Sequence, residues 1–300
     1  MTDLQYLRAV LKMQSLEESE NTDELKALRE TKSNVERLLK ERYGSSPSIQ
    51  YAGSYKKGTM IKESYDLDIT CYFGRDDDSA GSTLVEIYED VQKAFEGSFL
   101  VEPKGSAIRL LSISDKGYLS VDVVPGRFEN GKSGDVWLHR TTGEKNRLKT
   151  NLQVHVDHIR GSGVTNAIRL MKLWKKWYHI DIKTFVLELL VVKLLEGRSD
   201  LDLVGQLLHV WTLFRDKSDS LTVQDPANQQ GNDLSDMLNI VVKSALREMA
   251  DATLQKIESR NIQSIFGDVP DDQETQRSLD ALGGLLSRNP SRTRPWSSGG

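Results

Sequence analysis

The chain has 300 residues, 38% of them hydrophobic and 28% charged, with a formal net charge of −4 and one cysteine, Cys71. This composition excludes wholesale disorder, an internal disulfide and a cysteine-rich zinc site, and it argues against a general nucleic-acid binder. No apolar run approaches the ~18 residues of a membrane span; the longest, FVLELLVVKLL, is interrupted by Glu188 and Lys193. The opening MTDLQYLRAVLKMQSLEESE is polar and acidic, unlike a signal peptide, so a cytoplasmic location is expected.

In chain order, helix comes first. Leu4, Leu7 and Leu11 recur at helical spacing, and a second run carries Leu25, Leu28, Val35, Leu38 and Leu39. Asn21 with Glu24 suits a capping box, and Gly44 suits the stop. From about residue 49 short strands surround one helix: DLDITCYF (66–73), amphipathic LVEIYEDVQKAF (84–95), AIRLLSI (107–113) and YLSVDVVP (118–125). From about residue 163 helices dominate, and the final thirty or so residues lose periodicity and gain Ser, Pro, Arg and Gly. The expected class is α+β, with a strand-bearing lobe at 1–160, a helical lobe at 161–270 and a tail at 271–300.

Alternation along a strand sends Leu67 and Ile69 to the core and Asp66 and Asp68 to the other face, and sets Asp122 opposite Val121 and Val123. If these strands pair, three carboxylates converge. Such a cluster repels itself unless a cation sits among it, and oxygen ligands alone favour Mg²⁺ or Mn²⁺ over zinc. Any one aspartate could instead blunt a sheet edge. Twelve residues before Asp66, GSYKKGT offers Gly53 for close backbone approach and Ser54 for a phosphate oxygen. Between Arg140 and Lys183 ten basic residues face three acidic ones, the footprint of an anionic ligand.

GSYKKGTMIKESYDLDI with VDVVP resembles the polymerase-β-type nucleotidyltransferase superfamily. AIRLMKLWKKW, KTFVLELLVVKLLEG and VQDPANQQGN narrow the likeness to the cGAS/DncV-like nucleotidyltransferases (CD-NTases), over about Ala52 to Met249. The resemblance implies a two-lobed polymerase-β-like core plus a helical lobe, with the active site in the cleft between them. It implies two Mg²⁺ (or Mn²⁺) ions on Asp66, Asp68 and Asp122, donor phosphates on Gly53 and Ser54, and a triphosphate-contacting Lys172. Thr184 stands where many relatives have serine and keeps the hydroxyl. Arg169, Lys172 and Lys176 share one helix face, with Ile168, Met171 and Trp174 on an apolar stripe beside it. Asn166 stands either as N-cap of that helix or as a reader of a base edge.

The implied activity joins nucleoside triphosphates, ATP among them, into a cyclic di- or trinucleotide. That product would activate an effector in bacterial anti-phage defence. A template-independent RNA nucleotidyltransferase or linear oligonucleotide synthetase is the competing enzyme class, and an inactive nucleotide-binding module the non-enzymatic one. His155 and His158 read as surface residues, Cys71 as core, and Glu188 as a buried structural tie between lobes. Tyr51, Tyr55 and Tyr65 are candidate base-stacking rings. In SRNPSRTRPWSSGG, Trp296, Gly299 and Gly300 suggest a tail that an E1/E2-like partner would conjugate through Gly300.

Overall fold

The computed structural model describes residues 1–15, 23–64, 67–114, 117–141, 146–198, 200–228 and 234–269. Asn21, Tyr65, Asp66 and the tail with Trp296, Gly299 and Gly300 lie outside the described residues.

Two N-terminal helices open the chain, α1 (Asp3–Met13) and α2 (Asp23–Tyr43). Thr2 caps α1 in a reciprocal box: its hydroxyl accepts from Gln5 N–H, and the Gln5 side chain accepts from Thr2 N–H at 2.8 Å. Gly44, at φ +62°, ends α2 by donating to Lys40 O at 2.8 Å. There follow β1 (Ser48–Tyr51), the single turn α3 (Gly53–Lys57), β2 (Leu67–Phe73), α4 (Leu84–Lys93), β3 (Leu100–Pro103), β4 (Ile108–Ser114) and β5 (Gly117–Phe128). The β6 (Val136–His139) and β7 (Arg147–Thr150) pair then leads to α5 (Leu152–Gly161), α6 (Thr165–Trp177), α7 (Thr184–Leu194), α8 (Leu203–Lys217), α9 (Ile240–Arg260) and the short α10 (Gln263–Phe266).

The strands form one mixed sheet in the order β1-β2-β5-β4-β3, with β6 on β5 and β7 on β6. Among the named strands of the described residues, only the β2–β5 pairing is parallel. The alternation expected from the sequence is realised: Leu67, Ile69, Cys71 and Phe73 lie buried with Val121 and Val123. That face packs on Val35, Leu39 and Tyr43 of α2 and on Ile87, Tyr88 and Val91 of α4. The four-residue strands β1, β3, β6 and β7 were not among the expected elements; each is too short to display a period.

The helical core forms around Trp174, whose ring lies 6.2 Å from Trp211 and stacks 6.2 Å from Phe214. Its indole N–H donates to Thr253 Oγ1 at 2.9 Å, so the buried polar atom is satisfied. Ile168, Met171 and Trp174 are fully buried, as their stripe predicted. The helix α1, placed by sequence with the strand-bearing lobe, buries Tyr6, Leu7, Val10 and Leu11 in the helical core. The phenol of Tyr6 donates to Gly267 O at 2.8 Å, tying the N-terminal helix to the end of the described chain. Its apolar stripe finds no room under the sheet, where α2 and α4 already cover the face.

Candidate active site

The carboxylates come from β2 and β5. Asp68 and Asp122 are register partners on the two parallel strands. Both therefore leave the sheet on the face opposite the α2–α4 core. Asp122 is held from the next strand by Arg109, its own register partner on β4. The guanidinium grips it with two bonds, Nε to Oδ1 at 2.7 Å and Nη2 to Oδ2 at 2.8 Å. A bidentate pair of this kind fixes both the position and the orientation of the carboxylate.

Gly53 explains the turn that precedes them. Its φ of +57° is a left-handed conformation, and a Cβ built there would lie 1.5 Å from Asp68 Oδ2. No residue with a side chain fits both constraints. Ala52 N–H donates to Asp68 O at 2.8 Å, so backbone and side chain of Asp68 both meet this turn. Gly58, at φ +74°, closes α3, and Thr59 N–H donates to Ser54 O at 2.9 Å. Ser54 is thereby held at the start of a helical turn on the cleft wall.

A buried charge cluster lies behind this turn. Glu188 of α7 is 0% exposed and ion-pairs with Lys57, which closes α3. It also accepts from Thr59 Oγ1 at 2.6 Å and lies 3.7 Å from the Lys172 ammonium of α6. Lys172, 3% exposed, donates to Thr59 O at 2.8 Å. Burial pushes its pKa down to about 8, opposed by Glu188 and reinforced by the Lys57 charge. Glu188 thus ties α7 to α3 and α6, with two lysines and a threonine as its partners. The Thr184 hydroxyl, in the first turn of α7, accepts from Lys175 Nζ at 3.1 Å.

Gly53, Ser54, Lys57, Asp68, Lys172, Thr184 and Glu188 line one cleft of about 1210 Å³, while Asp122, the register partner of Asp68, is not part of its lining. Gly53, Ser54, Lys57 and Asp68 come from the α3–β2 region, and Lys172, Thr184 and Glu188, with Lys183, from α6, α7 and the connection between them. Arg140 and Arg147, which flank the connection between β6 and β7, also line the cleft. The basic surplus of 140–183 is therefore gathered partly around this space.

Three expected nucleotide contacts are not brought here. Arg169 spends its guanidinium on Leu11 O (3.0 Å), Ser15 Oγ (2.8 Å) and Met60 O (3.3 Å), anchoring α1 to α6. Asn166 is exposed in the first turn of α6 and lies away from the cleft lining; Val164 holds the cap position, so the N-cap reading is also corrected. Lys176 is exposed and borders a separate cavity of about 180 Å³ that it shares with Lys172 and Thr184. A helix face winds by 100° per residue, so i, i+3 and i+7 fan around enough for one lysine to be buried and another exposed.

Sequence reasoning missed Lys57, Arg109 and His155. His155 is no surface residue: it lines the cleft, and its Nε2 lies 2.7 Å from Asp225 Oδ1. The rings of Tyr51 and Tyr55 pack on one another at 4.8 Å, tilted by 43°, outside the cleft lining.

The fit to divalent cations rests on the donor set. Asp68 and Asp122 offer hard oxygen donors at paired positions, and Gly53 leaves to Asp68 Oδ2 the space that a Cβ would occupy. Among the described residues no three metal-ligating side chains converge; Asp66, the third expected donor, lies outside them.

Neither a family profile nor a curated sequence matches the chain. Solved structures do. CdnC of E. coli MS115-1, determined with ATP, is 19% identical with a TM-score of 0.66, over 89% of this chain and 98% of that one. CdnG of Bradyrhizobium diazoefficiens, a CD-NTase in complex with GTP, is 14% identical with a TM-score of 0.66, over 94% and 99%. The Vibrio cholerae DncV cyclic AMP-GMP synthase, in complex with the linear intermediate pppA(3′,5′)pG, is 17% identical with a TM-score of 0.58, over 76% and 70%. Among the described residues no helix is long and apolar enough to cross a membrane. The chain has the α+β, polymerase-β-like fold of the cGAS/DncV-like nucleotidyltransferases, as its Gly-Ser and aspartate motifs predicted.

Proposed function

We propose that this chain is a divalent-cation-dependent nucleotidyltransferase that joins nucleoside triphosphates, ATP among them, into a cyclic di- or trinucleotide. The product would serve as a second messenger that switches on an effector in anti-phage defence. One observation carries the reading: Gly53 is wedged against Asp68, the register partner of Asp122, in a cleft whose lining also includes Lys172 and Thr184. The solved structures with ATP, GTP and a linear dinucleotide support it by likeness of fold.

In this reading Ser54 and the backbone N–H groups of its turn hold the donor's terminal phosphates. Lys172 supplies positive charge to the same triphosphate, held in place by Thr59 O. Thr184 offers its hydroxyl to a phosphate oxygen. Asp68 and Asp122, with Asp66, hold Mg²⁺ or Mn²⁺, which when bound provides Lewis acidity toward the acceptor hydroxyl and the leaving pyrophosphate. Arg109 holds the Asp122 carboxylate in one orientation through two hydrogen bonds. A bond forms between the acceptor ribose oxygen and the α-phosphorus while the bond to the β-phosphate side breaks.

The test is direct. Purified protein is incubated with Mg²⁺ or Mn²⁺ and each labelled nucleoside triphosphate, and the products are treated with phosphatase and separated. Phosphatase-resistant cyclic product is expected. A linear oligonucleotide instead would place the chain with the linear synthetases, and absence of any joined product would overturn the reading.

A further inference from the structure

Inside the cleft, a histidine and an aspartate form a pair that the phosphate and carboxylate chemistry above does not use. Asp225 is 3% exposed. Its Oδ1 accepts from Ala227 N–H at 2.9 Å and lies 2.7 Å from His155 Nε2. An ionised carboxylate only accepts, so His155 must carry its proton on Nε2 and donate it. The ring is also packed against Phe185, with centroids 4.8 Å apart, and the Lys57 ammonium lies 5.3 Å from the centre of that phenyl ring. Two contacts therefore fix the imidazole in plane and in tautomer. Its remaining nitrogen, Nδ1, has no hydrogen-bond partner among the described residues, and in the neutral ring it is an acceptor.

The lining that holds this pair also includes apolar residues, interspersed with Thr150, Lys183 and Asp236. Leu152 lies one helical turn before His155 on α5, and Leu234, whose N–H donates to Val223 O at 3.0 Å, runs beside the Asp225 segment. Both line the cleft, together with Phe185 and Met237. Apolar side chains, an aromatic ring and one oriented polar atom form the kind of surface that receives a planar heterocycle and reads its edge. Phosphate would gain little here, because the Asp225 carboxylate stands directly behind the imidazole and opposes a second anion.

We infer that His155, set by Asp225, is a specificity residue that reads a nucleobase carrying an exocyclic amino group, accepting a hydrogen bond from that group at Nδ1. The inference rests on the proposed nucleotide-joining function and names the part of the substrate this wall selects. A base that presents only a carbonyl at that edge leaves Nδ1 unpaired and is disfavoured.

The experiment compares nucleotides that differ at the amino group: ATP against purine riboside triphosphate, GTP against inosine triphosphate, and CTP against UTP. Dissociation constants are measured by calorimetry at mildly alkaline pH with Ca²⁺ in place of Mg²⁺, so that turnover does not intervene. For the base the wall accepts, the amino-bearing member should bind roughly five- to tenfold tighter, the worth of one hydrogen bond. His155→Phe, which keeps the ring packed on Phe185, should bring that ratio close to one without changing the affinity for inorganic triphosphate. His155→Gln, whose amide oxygen again accepts, should restore part of the preference and covers the case in which the phenylalanine variant fails to fold. Equal affinities within every pair for the wild type, or an undiminished ratio in His155→Phe, would overturn the inference alone. Loss of binding to every nucleotide and to inorganic triphosphate in the wild type would instead overturn the function on which it rests.

Discussion

Glu188 and Lys57 form an ion pair across 131 positions of sequence, joining the helix α7 to the turn that follows Gly53. The carboxylate is fully buried and has the Lys172 ammonium 3.7 Å away on its other side. Replacing it by glutamine leaves two cations without their countercharge in a region of low dielectric. A broken buried pair of this kind costs about 3–5 kcal/mol. Denaturant unfolding of Glu188→Gln should show a loss of that order. Adding Lys57→Met to Glu188→Gln should recover part of it, because one stranded charge is then gone. Additive losses in the double variant would show that the pair is not coupled.

Gly53→Ala should separate the two constraints on this turn. The left-handed backbone alone costs about 1–2 kcal/mol for a residue with a Cβ. The new methyl would also collide with Asp68 Oδ2 and push the carboxylate aside. A lowered melting temperature together with loss of product formation of about a hundredfold or more is expected, since a misplacement of about 1 Å at a reacting site costs that much. A variant with full activity would mean that Asp68 works from a different position.

Arg109 and Asp122 invite a double-mutant cycle. Each side chain is mostly buried and each satisfies the other through two bonds. Arg109→Met should destabilise by about 1–3 kcal/mol through the unpaired carboxylate it leaves. The Arg109→Met, Asp122→Leu double variant should be less destabilised than the sum of the two singles. Equilibrium unfolding measures both quantities, and strict additivity would contradict the pairing.

Lys172 makes a pH prediction with a definite sign. Burial lowers its pKa from the ordinary 10.5 to about 8. Between these values the unfolded chain binds the proton that the folded chain has lost. This residue's contribution to stability therefore rises with pH across that window. Nucleotide binding runs the other way. A triphosphate beside Lys172 favours the charged form, so binding takes up a proton and affinity falls as pH climbs above about 8. Calorimetry in buffers of different ionisation enthalpy should detect that uptake, and Lys172→Met should abolish it.

The parts of the site that sequence disclosed were local. Gly53, Ser54, Asp68 and Asp122 announce themselves because a strand alternates and a tight turn needs glycine, and both rules act over a few residues. Arg109 was hidden in AIRLLSI because its importance depends on register with Asp122, which no spacing encodes. His155 was read as a surface residue because its partner, Asp225, lies 70 positions away. Arg169 failed in the opposite direction: its charge pointed to an anion, and α1 claimed it first. The strands β1, β3, β6 and β7 owe their existence to neighbours in the sheet rather than to their own composition.

The crossing of α1 into the helical core bears on how the molecule can be divided. A cut at the Gly161–Val164 turn would yield a first fragment still bearing Tyr6, Leu7, Val10 and Leu11, the residues the second fragment needs to fill its interior. The first fragment would in turn lose Glu188, the countercharge of Lys57. Co-expressed halves should therefore reassemble by completing each other's cores, as complementing fragments do, and neither half should refold when prepared by itself.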